Sequence, residues 1–303
     1  MNRNHYKRIG DYLNERFPVI PRLLLGYIFF FEISYIIILN YNVKNISIGV
    51  QELVGGFTIF GFLLWLRIAD DIKDYEIDKV LFPDRPLPRG SITIKELFIF
   101  CLIVQIVVFV LNYLFMNNYM FLIVLYLYGF LMSKWFFQKA KISKCLPLAL
   151  VTHNPVQIFV NLYGISYVCI KYRLNYKTIY CLCALMTLYF PALIWEIARK
   201  IRTPKEETDY VTYSKLFGYK KATKFIMLLT ILDILTNIIL VINLNKISVL
   251  VLIVLVSIMI YWFISFIKDS TKFKIVDKVE QYTYLQETTM IITIALYILV
   301  GKI

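Results

Sequence analysis

The sequence predicts an all-α, polytopic membrane protein built as a bundle of nine transmembrane helices, and three observations carry that expectation. Hydrophobic residues make up 59% of the 303-residue chain, only 17% are charged, and the mean hydropathy is +0.67, far outside the range of water-soluble domains. Apolar runs near the ~20 residues needed to cross a bilayer recur along the whole length. Lysine and arginine collect between alternate pairs of those runs.

Taken in order, the nine runs are 18–39, 47–69, 92–114, 119–138, 145–165, 176–198, 222–243, 246–267 and 283–301. The fifth is the most polar, interrupted by His153, Asn154, Gln157 and Asn161. The first is too long for a signal-peptide core and lacks a small-residue cleavage site, so it is expected to remain in the mature protein. Long interior linkers are missing, so one membrane domain, 1–303, is expected to hold the whole function. Ten segments flank the nine spans. Those on one side hold 27 of the 33 Lys and Arg, and the other side holds Lys44, Lys171, Arg173, Lys177, Lys246 and Lys302. Positive charge favours the cytoplasmic face, which puts the N-terminus inside and the C-terminus on the opposite side. This bias and contact with anionic lipid account for the net charge of +13, so no nucleic-acid partner is expected. Cys101, Cys145, Cys169, Cys181 and Cys183 lack metal-ligand spacing and read as buried, inert thiols.

Six of the twenty acids fall within fifteen residues after the second run: Asp70, Asp71, Asp74, Glu76, Asp78 and Asp84. If that span continues as a helix, Asp71, Asp74 and Asp78 lie at about 0°, 300° and 340°, with Asp70 and Arg67 on the same face and Glu76 on the far side at about 140°. Carboxylates this close repel by roughly 1 kcal/mol per pair in water, and more beside a low-dielectric wall. Hard oxygen ligands at this spacing suit Mg²⁺, which is held by one or two carboxylates together with substrate phosphates. The alternative is a solvated linker balanced by Lys73, Lys79, Arg85 and Arg89.

The run Asp70-Asp71-Ile72-Lys73-Asp74-Tyr75-Glu76-Ile77-Asp78, followed by Asp84-Arg85-Pro86-Leu87-Pro88-Arg89-Gly90, resembles the first aspartate-rich motif of the UbiA-type intramembrane prenyltransferases. Asp70 stands where the family has Asn. Pro21-Arg22 at the opening of the first span resembles the family's start, and the nine-helix architecture extends the likeness over nearly the whole chain. The resemblance implies Mg²⁺ held by Asp70, Asp71, Asp74 and Asp78, with Asp71, Asp74 and Asp78 catalytic, and an isoprenoid diphosphate whose remaining phosphate oxygens meet Arg67, Arg85 and Arg89. Stabilising the charge that develops on the departing diphosphate is then the main catalytic contribution. Ring faces among the 23 Tyr and 23 Phe can stabilise an allylic cation, although many of these rings face lipid or pack in the interior.

The second motif departs from the family pattern. After the sixth run the chain reads WEIARKIRTPKEETDYVTYSKLFG, from Trp195 to Gly218. Its end, Thr212 to Gly218, resembles the family's tail, but Glu196 is followed by Arg199, Lys200 and Arg202 before Glu206, Glu207 and Asp209. One reading makes Glu196 a metal ligand while Arg199, Lys200 or Arg202 grips phosphate directly. The other is an internal Glu–Arg/Lys cluster, since Glu196, Arg199 and Lys200 share a helix face.

Polar groups inside a membrane are candidate site residues. In a helical fifth span, His153, Asn154, Gln157 and Asn161 fall at about 0°, 100°, 40° and 80°. They would line an acceptor pocket, together with Arg22, or hydrogen-bond neighbouring helices. Glu32 and Asp233 lie near mid-span and are further pocket candidates. Glu52 belongs at the opposite membrane face from Asp71, and Gly49, Gly55, Gly56 and Gly61 are expected to permit close helix approach. The function expected is a Mg²⁺-dependent multi-pass membrane prenyltransferase that moves an isoprenyl group from its diphosphate to an acceptor not identified by the sequence, its site opening to the cytoplasm. The runner-up is a terpene cyclase on the same scaffold. A transporter using the intramembrane acids is a third class, disfavoured by the clustered aspartates.

Overall fold

A backbone in hydrocarbon has no water to bond, so a chain this apolar closes its hydrogen bonds within helices. The computed structural model describes residues 5–44, 46–207 and 211–300, and these contain helices and no strand. They form two compact units, one comprising Met1–Phe31 with Ser47–Lys139 and the other Glu32–Ile46 with Ala140–Ile303.

The first unit holds α1 (His5–Arg16), the first half of α2 (Val19–Asn40), α3 (Val50–Lys73), α4 (Tyr75–Leu81), α5 (Ile94–Phe115) and α6 (Tyr119–Ser133). Thr93 and Glu96 form a capping box at the start of α5: Thr93 Oγ1 accepts from the Glu96 N–H at 3.2 Å, and Glu96 Oε2 accepts from the Thr93 N–H at 2.9 Å. Glu96 also meets His5 Nδ1 at 2.6 Å and Arg8 at 3.1 Å, which fastens the polar helix α1 to α5. The inner face of α1 delivers Tyr12 into a core with Phe17, Leu64, Ile68 and Leu97.

Helices α2 and α3 meet backbone to backbone. A Cβ on Gly26 would stand 2.8 Å from the Phe60 nitrogen and 2.9 Å from the Gly56 oxygen. Gly55, Gly56 and Gly61 likewise face Phe30, Tyr27 and Val108 at distances no Cβ tolerates, as the sequence led us to expect. Gly49 differs: it is the N-cap of α3, its N–H donating to Glu52 Oε2 at 2.7 Å. Asn112 Nδ2 donates to Thr58 Oγ1 at 2.7 Å, and Gln105 Nε2 to the Gly61 carbonyl at 3.1 Å, tying α5 to α3. Such bonds contribute on the order of 0.6 kcal/mol each in a membrane setting.

After α7 (Lys139–Ile142), the second unit comprises the rest of α2 with α8 (Leu146–His153), α9 (Val156–Lys171), α10 (Ile179–Thr187), α11 (Tyr189–Ala198), α12 (Tyr213–Phe217), α13 (Tyr219–Val241), α14 (Lys246–Lys268) and α15 (Ile275–Leu299). Asp233, fully buried, accepts from Asn237 Nδ2 at 3.0 Å and from Tyr282 O–H and Gln286 Nε2 at 3.2 Å each, so it joins α13 to α15. Glu32 is buried too, and its carboxyl lies within hydrogen-bonding reach of that of Glu287.

Six helices among the described residues are long and apolar enough to cross a membrane: α2, α3, α5, α10 with α11, α13 and α14. The other three expected spans are helical but do not meet that measure, so the count of nine is not confirmed. Helix α6 stops at Ser133, five residues short of the expected end, and a 3₁₀ turn over Trp135–Phe137 follows. The fifth run is not one helix. Pro155 has no N–H for the Val151 carbonyl, and the chain divides there into α8 and α9. Helix α15 starts eight residues before the apolar run and carries Gln286 and Glu287 within it. Four cysteines are buried as expected, while Cys145 is exposed.

The α2–α3 contact gives a test. Gly26→Ala forces two backbones apart, at about 1–3 kcal/mol, and lowers the apparent melting temperature in detergent. Gly10→Ala on α1, where an added Cβ meets nothing within 4 Å, leaves it unchanged or raises it. Equal melting temperatures for the two variants would show that α2 and α3 are not in backbone contact.

Candidate active site

The acidic stretch begins where α3 ends. A helix C-terminus carries partial negative charge and disfavours carboxylates, whereas an N-terminus favours them. The chain resolves this at Asp74, which leaves helical geometry (φ −98°, ψ 7°), closing α3 and serving as the N-cap of α4. Glu76 and Asp78 thereby fall in a first turn instead of a last one. The expectation of an unbroken helix is corrected at this one residue. The course stays close to helical on both sides, with the Asp74 N–H donating to the Asp70 carbonyl at 2.9 Å and the Asp78 N–H to the Asp74 carbonyl at 2.8 Å.

The acids divide as the helical face predicts. Asp71 and Asp78 are each 5% exposed, while Glu76 points outward and, among the described residues, meets Lys79 at 3.2 Å. Asp71 is held on both oxygens: Arg16 Nη2 donates to Oδ1 at 2.6 Å, while Arg16 Nε at 3.1 Å and the Tyr12 hydroxyl at 2.8 Å donate to Oδ2. Arg67 adds a longer contact of 3.4 Å. Burial, then the charge of Asp71, pushes the Tyr12 hydroxyl well above its ordinary pKa, so it remains a donor. Asp78 takes Arg85 Nη1 at 2.7 Å on both oxygens, and Asp70 takes Lys73 at 2.7 Å. Arg89 is occupied in the turn, donating to the Asp84 carbonyl at 3.0 Å and to Glu15 at 2.5 Å. Gly90 closes that turn at φ 76°, a conformation that favours glycine.

Asp74 is the exception. No side chain among the described residues donates to it, and burial, reinforced by Asp70 and Asp78, holds its carboxyl above the ordinary range despite Lys73 and Lys139. Partly buried, lacking a donor and surrounded by like charge, it is the carboxylate that most needs a cation. No three His, Cys, Asp or Glu among the described residues stand close enough to hold a metal by themselves. Mg²⁺ completes its octahedron with phosphate and water around one or two carboxylates, a number that Asp74 and a neighbouring aspartate can supply.

In the second loop, both Glu196 oxygens are already occupied, by Arg199 Nε at 2.6 Å and Lys200 Nζ at 2.9 Å. This is the Glu–Arg/Lys cluster of the alternative reading. The later acids hold the loop together: Glu206 accepts from the Thr203 hydroxyl at 3.1 Å, and Glu207 from Thr212 Oγ1 and Ser214 Oγ. Asp209 lies outside the described residues. The Thr212–Gly218 tail closes the loop back on α11, the Tyr213 N–H donating to the Lys200 carbonyl at 2.9 Å and the Arg202 N–H to Ser214 Oγ at 2.8 Å. Around this fold lies a cavity of about 340 Å³ lined by Arg199, Arg202, Lys274, Thr203 and Glu206. Three cations against one acid make it suitable for an anion. Lys200, turned to Glu196, does not line it.

Two of the polar residues of the fifth run bond between helices. Gln157 Nε2 donates to Asn161 Oδ1 and Asn161 Nδ2 to the Leu185 carbonyl, both at 2.9 Å, which ties α9 to α10 as the interhelical reading expects. His153 Nδ1 lies 3.1 Å from the Ala149 carbonyl of its own helix, Asn154 caps α8, and Arg22 is exposed beside the Phe17 ring. Sequence reasoning missed Tyr12, Arg16 and Lys274. Tyr12 and Arg16 do share a helix face at i and i+4, a signal that they act together without naming their partner.

A search of curated proteins found no match. Solved structures share the fold. One, of a digeranylgeranylglyceryl phosphate synthase, aligns at TM-score 0.66 and 20% identity over 97% of this chain and 98% of that one. A UbiA homologue from Archaeoglobus fulgidus aligns at TM-score 0.56 in two structures, one bound to DMAPP and Mg²⁺ and one to GPP and Mg²⁺, at 10% and 11% identity over 92% and 91% of this chain and 99% of the other in each case. A sequence model of the UbiA prenyltransferase family matches residues 43–279, which include both loops. The chain therefore belongs to the UbiA prenyltransferase family, as an integral, multi-pass membrane protein.

Proposed function

We propose that the protein transfers an isoprenyl group from its diphosphate to an acceptor reached from the membrane, with Mg²⁺ bound at the first aspartate motif. The carrying observation is Asp74, a partly buried carboxylate left without a donor while each neighbouring aspartate has a basic partner. Asp74 and Asp78, with Asp70 and Asp71 beside them, would hold the ion. When bound, it offsets the charge that grows on the diphosphate as the allylic C–O bond breaks. Tyr12 and Arg16 fix the Asp71 carboxylate, and Arg85 fixes Asp78, so these ligands are oriented before substrate arrives. The same guanidiniums, with Arg67, present N–H forks of the geometry phosphate oxygens accept. Arg199 and Arg202 of the second loop, with Lys274, make the cavity of the second unit by itself suited to phosphate oxygens. By charge distribution the motif faces the cytoplasm. That the structurally similar proteins hold DMAPP or GPP with Mg²⁺ supports this substrate class.

Incubation of purified protein with Mg²⁺ and isoprenoid diphosphates of several lengths, with and without membrane-lipid extract as acceptor source, tests the reading by product mass. An isoprenyl mass added to an extract component is the expected result. A cyclic hydrocarbon or terpene alcohol formed without extract would establish the cyclase instead.

Asp74→Asn should abolish turnover without loss of stability in EDTA, because no partner is stranded, and Mg²⁺ with diphosphate should no longer raise its melting temperature. Asp71→Asn should abolish turnover and also destabilise, by roughly 1–3 kcal/mol for the guanidinium left underpaired. Glu76→Ala should be mild. Loss of activity in Glu76→Ala comparable to that in Asp74→Asn would refute the facial assignment.

Neutralising Arg199 or Arg202 should weaken pyrophosphate binding about ten- to a hundred-fold at saturating Mg²⁺, as expected for loss of a charged hydrogen bond. Lys200→Gln should act mainly on stability, through Glu196. Unchanged affinity in both arginine variants, measured by calorimetric titration, would remove the second loop from phosphate binding.

A further inference from the structure

Two of the buried cysteines stand together in the second unit. Cys169, in the last turn of α9, and Cys181, in the first turn of α10, have their sulfurs 3.9 Å apart. Both are free thiols, and they are only 7% and 4% exposed. The backbone on each side is fixed. Arg173 takes a left-handed conformation at φ 53° and closes α9, so that the Leu174 N–H returns to the Cys169 carbonyl at 2.9 Å. Thr178 caps α10, its Oγ1 accepting from the Cys181 N–H at 3.5 Å. Tyr41, just after α2, holds the connection between them: its hydroxyl donates to the Asn175 carbonyl and lies 2.7 Å from Thr178 Oγ1. Closing the thiols to a disulfide needs the sulfurs to approach by about 2 Å. Turning the two side chains about their Cα–Cβ bonds is a motion of that size.

A route leads to the pair. A cavity of about 480 Å³ is lined by Cys181 together with Tyr176, Lys177, Thr178 and Ile179. Tyr176 is 66% exposed and Ile179 51%, so the space reaches the surface beside the connection. Cys169 does not line it, so an incoming reagent meets Cys181 first. Cys181 also opens the α10–α11 span, whose other end carries Glu196 and the second loop. Lys171, Arg173 and Lys177 flank the pair and belong to the side that holds six of the 33 basic residues. By the positive-inside rule this end lies outside the cytoplasm, where thiols are not kept reduced.

We propose that Cys169 and Cys181 are a redox pair that closes to a disulfide, a modification site at the non-cytoplasmic end of the second unit. The Cys181 thiolate attacks a disulfide-bearing oxidant, whether a small molecule or a protein, forming a mixed disulfide and expelling one thiolate. Cys169 gives up its proton and attacks the Cys181 sulfur, so that the Cys169–Cys181 bond forms and a second thiolate leaves. The cysteines lose two electrons, the oxidant gains them, and its two departing thiolates take up the two protons. The bond clamps α9 to α10 at their ends, while the Asn161 side chain and the Leu185 carbonyl join the same helices deeper in the unit at 2.9 Å. The assignment rests on the helix ends and the charge distribution and not on the transferase reading, so either can fail alone.

Peptide mass spectrometry of the full-length protein in detergent, treated with oxidised glutathione and then with N-ethylmaleimide, tests it. Trypsin cuts at Lys171, Arg173 and Lys177, between the two cysteines, so the bond shows as a linked pair of peptides. That pair should appear two hydrogens lighter than its reduced parts, and dithiothreitol should remove it. Closing the loop should raise the apparent melting temperature by several degrees over the reduced protein. Cys169→Ser should stop the reaction halfway, with glutathione left on Cys181, whereas Cys181→Ser should leave Cys169 free of glutathione. Cys183→Ser should leave the bond unchanged. Membranes from producing cells, quenched in acid before alkylation, should already contain the linked pair. Full maleimide labelling of both cysteines after oxidised glutathione, a bond to Cys183 in place of Cys169, or an entirely reduced pair in the quenched membranes would each overturn the proposal.

Discussion

The first unit is organised by the repulsion among four carboxylates placed within nine residues at the end of a membrane helix. Left alone, such a cluster would protonate or unfold that end of α3. The chain instead brings a base to three of the four. Arg16 comes from α1, Arg85 from the turn after α4, and Lys73 from α3 itself. The helix also breaks at Asp74, so that the later acids start a helix instead of ending one. Much of the surrounding architecture follows. Helix α1 must lie on the unit to deliver Tyr12 and Arg16, and His5 and Arg8 hold it there through Glu96. The Arg85-to-Gly90 turn must be rigid to present Arg85, and Arg89 and the positive φ of Gly90 make it so.

This neutralisation keeps the site assembled but not saturated. A carboxylate bonded by an arginine fork has a fixed direction, and a fixed direction is what a metal ligand needs. Removing the fork would free the aspartate and blur the site. Asp74 lacks such a partner and so remains the point of entry for a cation. In the second unit, acids away from water are handled differently. Asp233 is surrounded by neutral donors, Asn237, Tyr282 and Gln286, and Glu32 faces Glu287. These groups join helices across the unit, which is a packing role.

The parts of the structure legible in the sequence are those governed by local period and composition. Helical runs follow from hydrophobicity, and the inward Asp71 and Asp78 with outward Glu76 follow from the 100° step. Gly55, Gly56 and Gly61 read correctly as contact glycines. What could not be read depends on partners distant in sequence. Arg16 lies 55 residues from Asp71, and nothing in the polar N-terminal segment indicates which acid it meets. Lys274 reaches the second-loop cavity from the far end of the unit's sequence. The break at Asp74 was missed because a propensity argument sees an acid-rich helix end, whereas the gain comes from restarting the helix. Gln157 and Asn161 were visible as a stripe, but whether a stripe faces a pocket or a neighbouring carbonyl is decided by α10, not by their own helix.

The second loop holds itself closed with its own acids. Thr212 and Ser214 close the loop, and Gly218 turns it at φ 81°. The acids that remain, Glu206 and Glu207, are spent on those closing bonds, and Glu196 is taken by Arg199 and Lys200. The cavity that results is lined by fixed cations. A carboxylate site acquires positive charge only when a metal binds, so its attraction for phosphate follows the metal's concentration. Guanidinium and ammonium groups carry that charge permanently and need no loading step. On the proposed reading, diphosphate would be drawn to this loop before any ion arrives, and dependence on Mg²⁺ would come from the first motif alone.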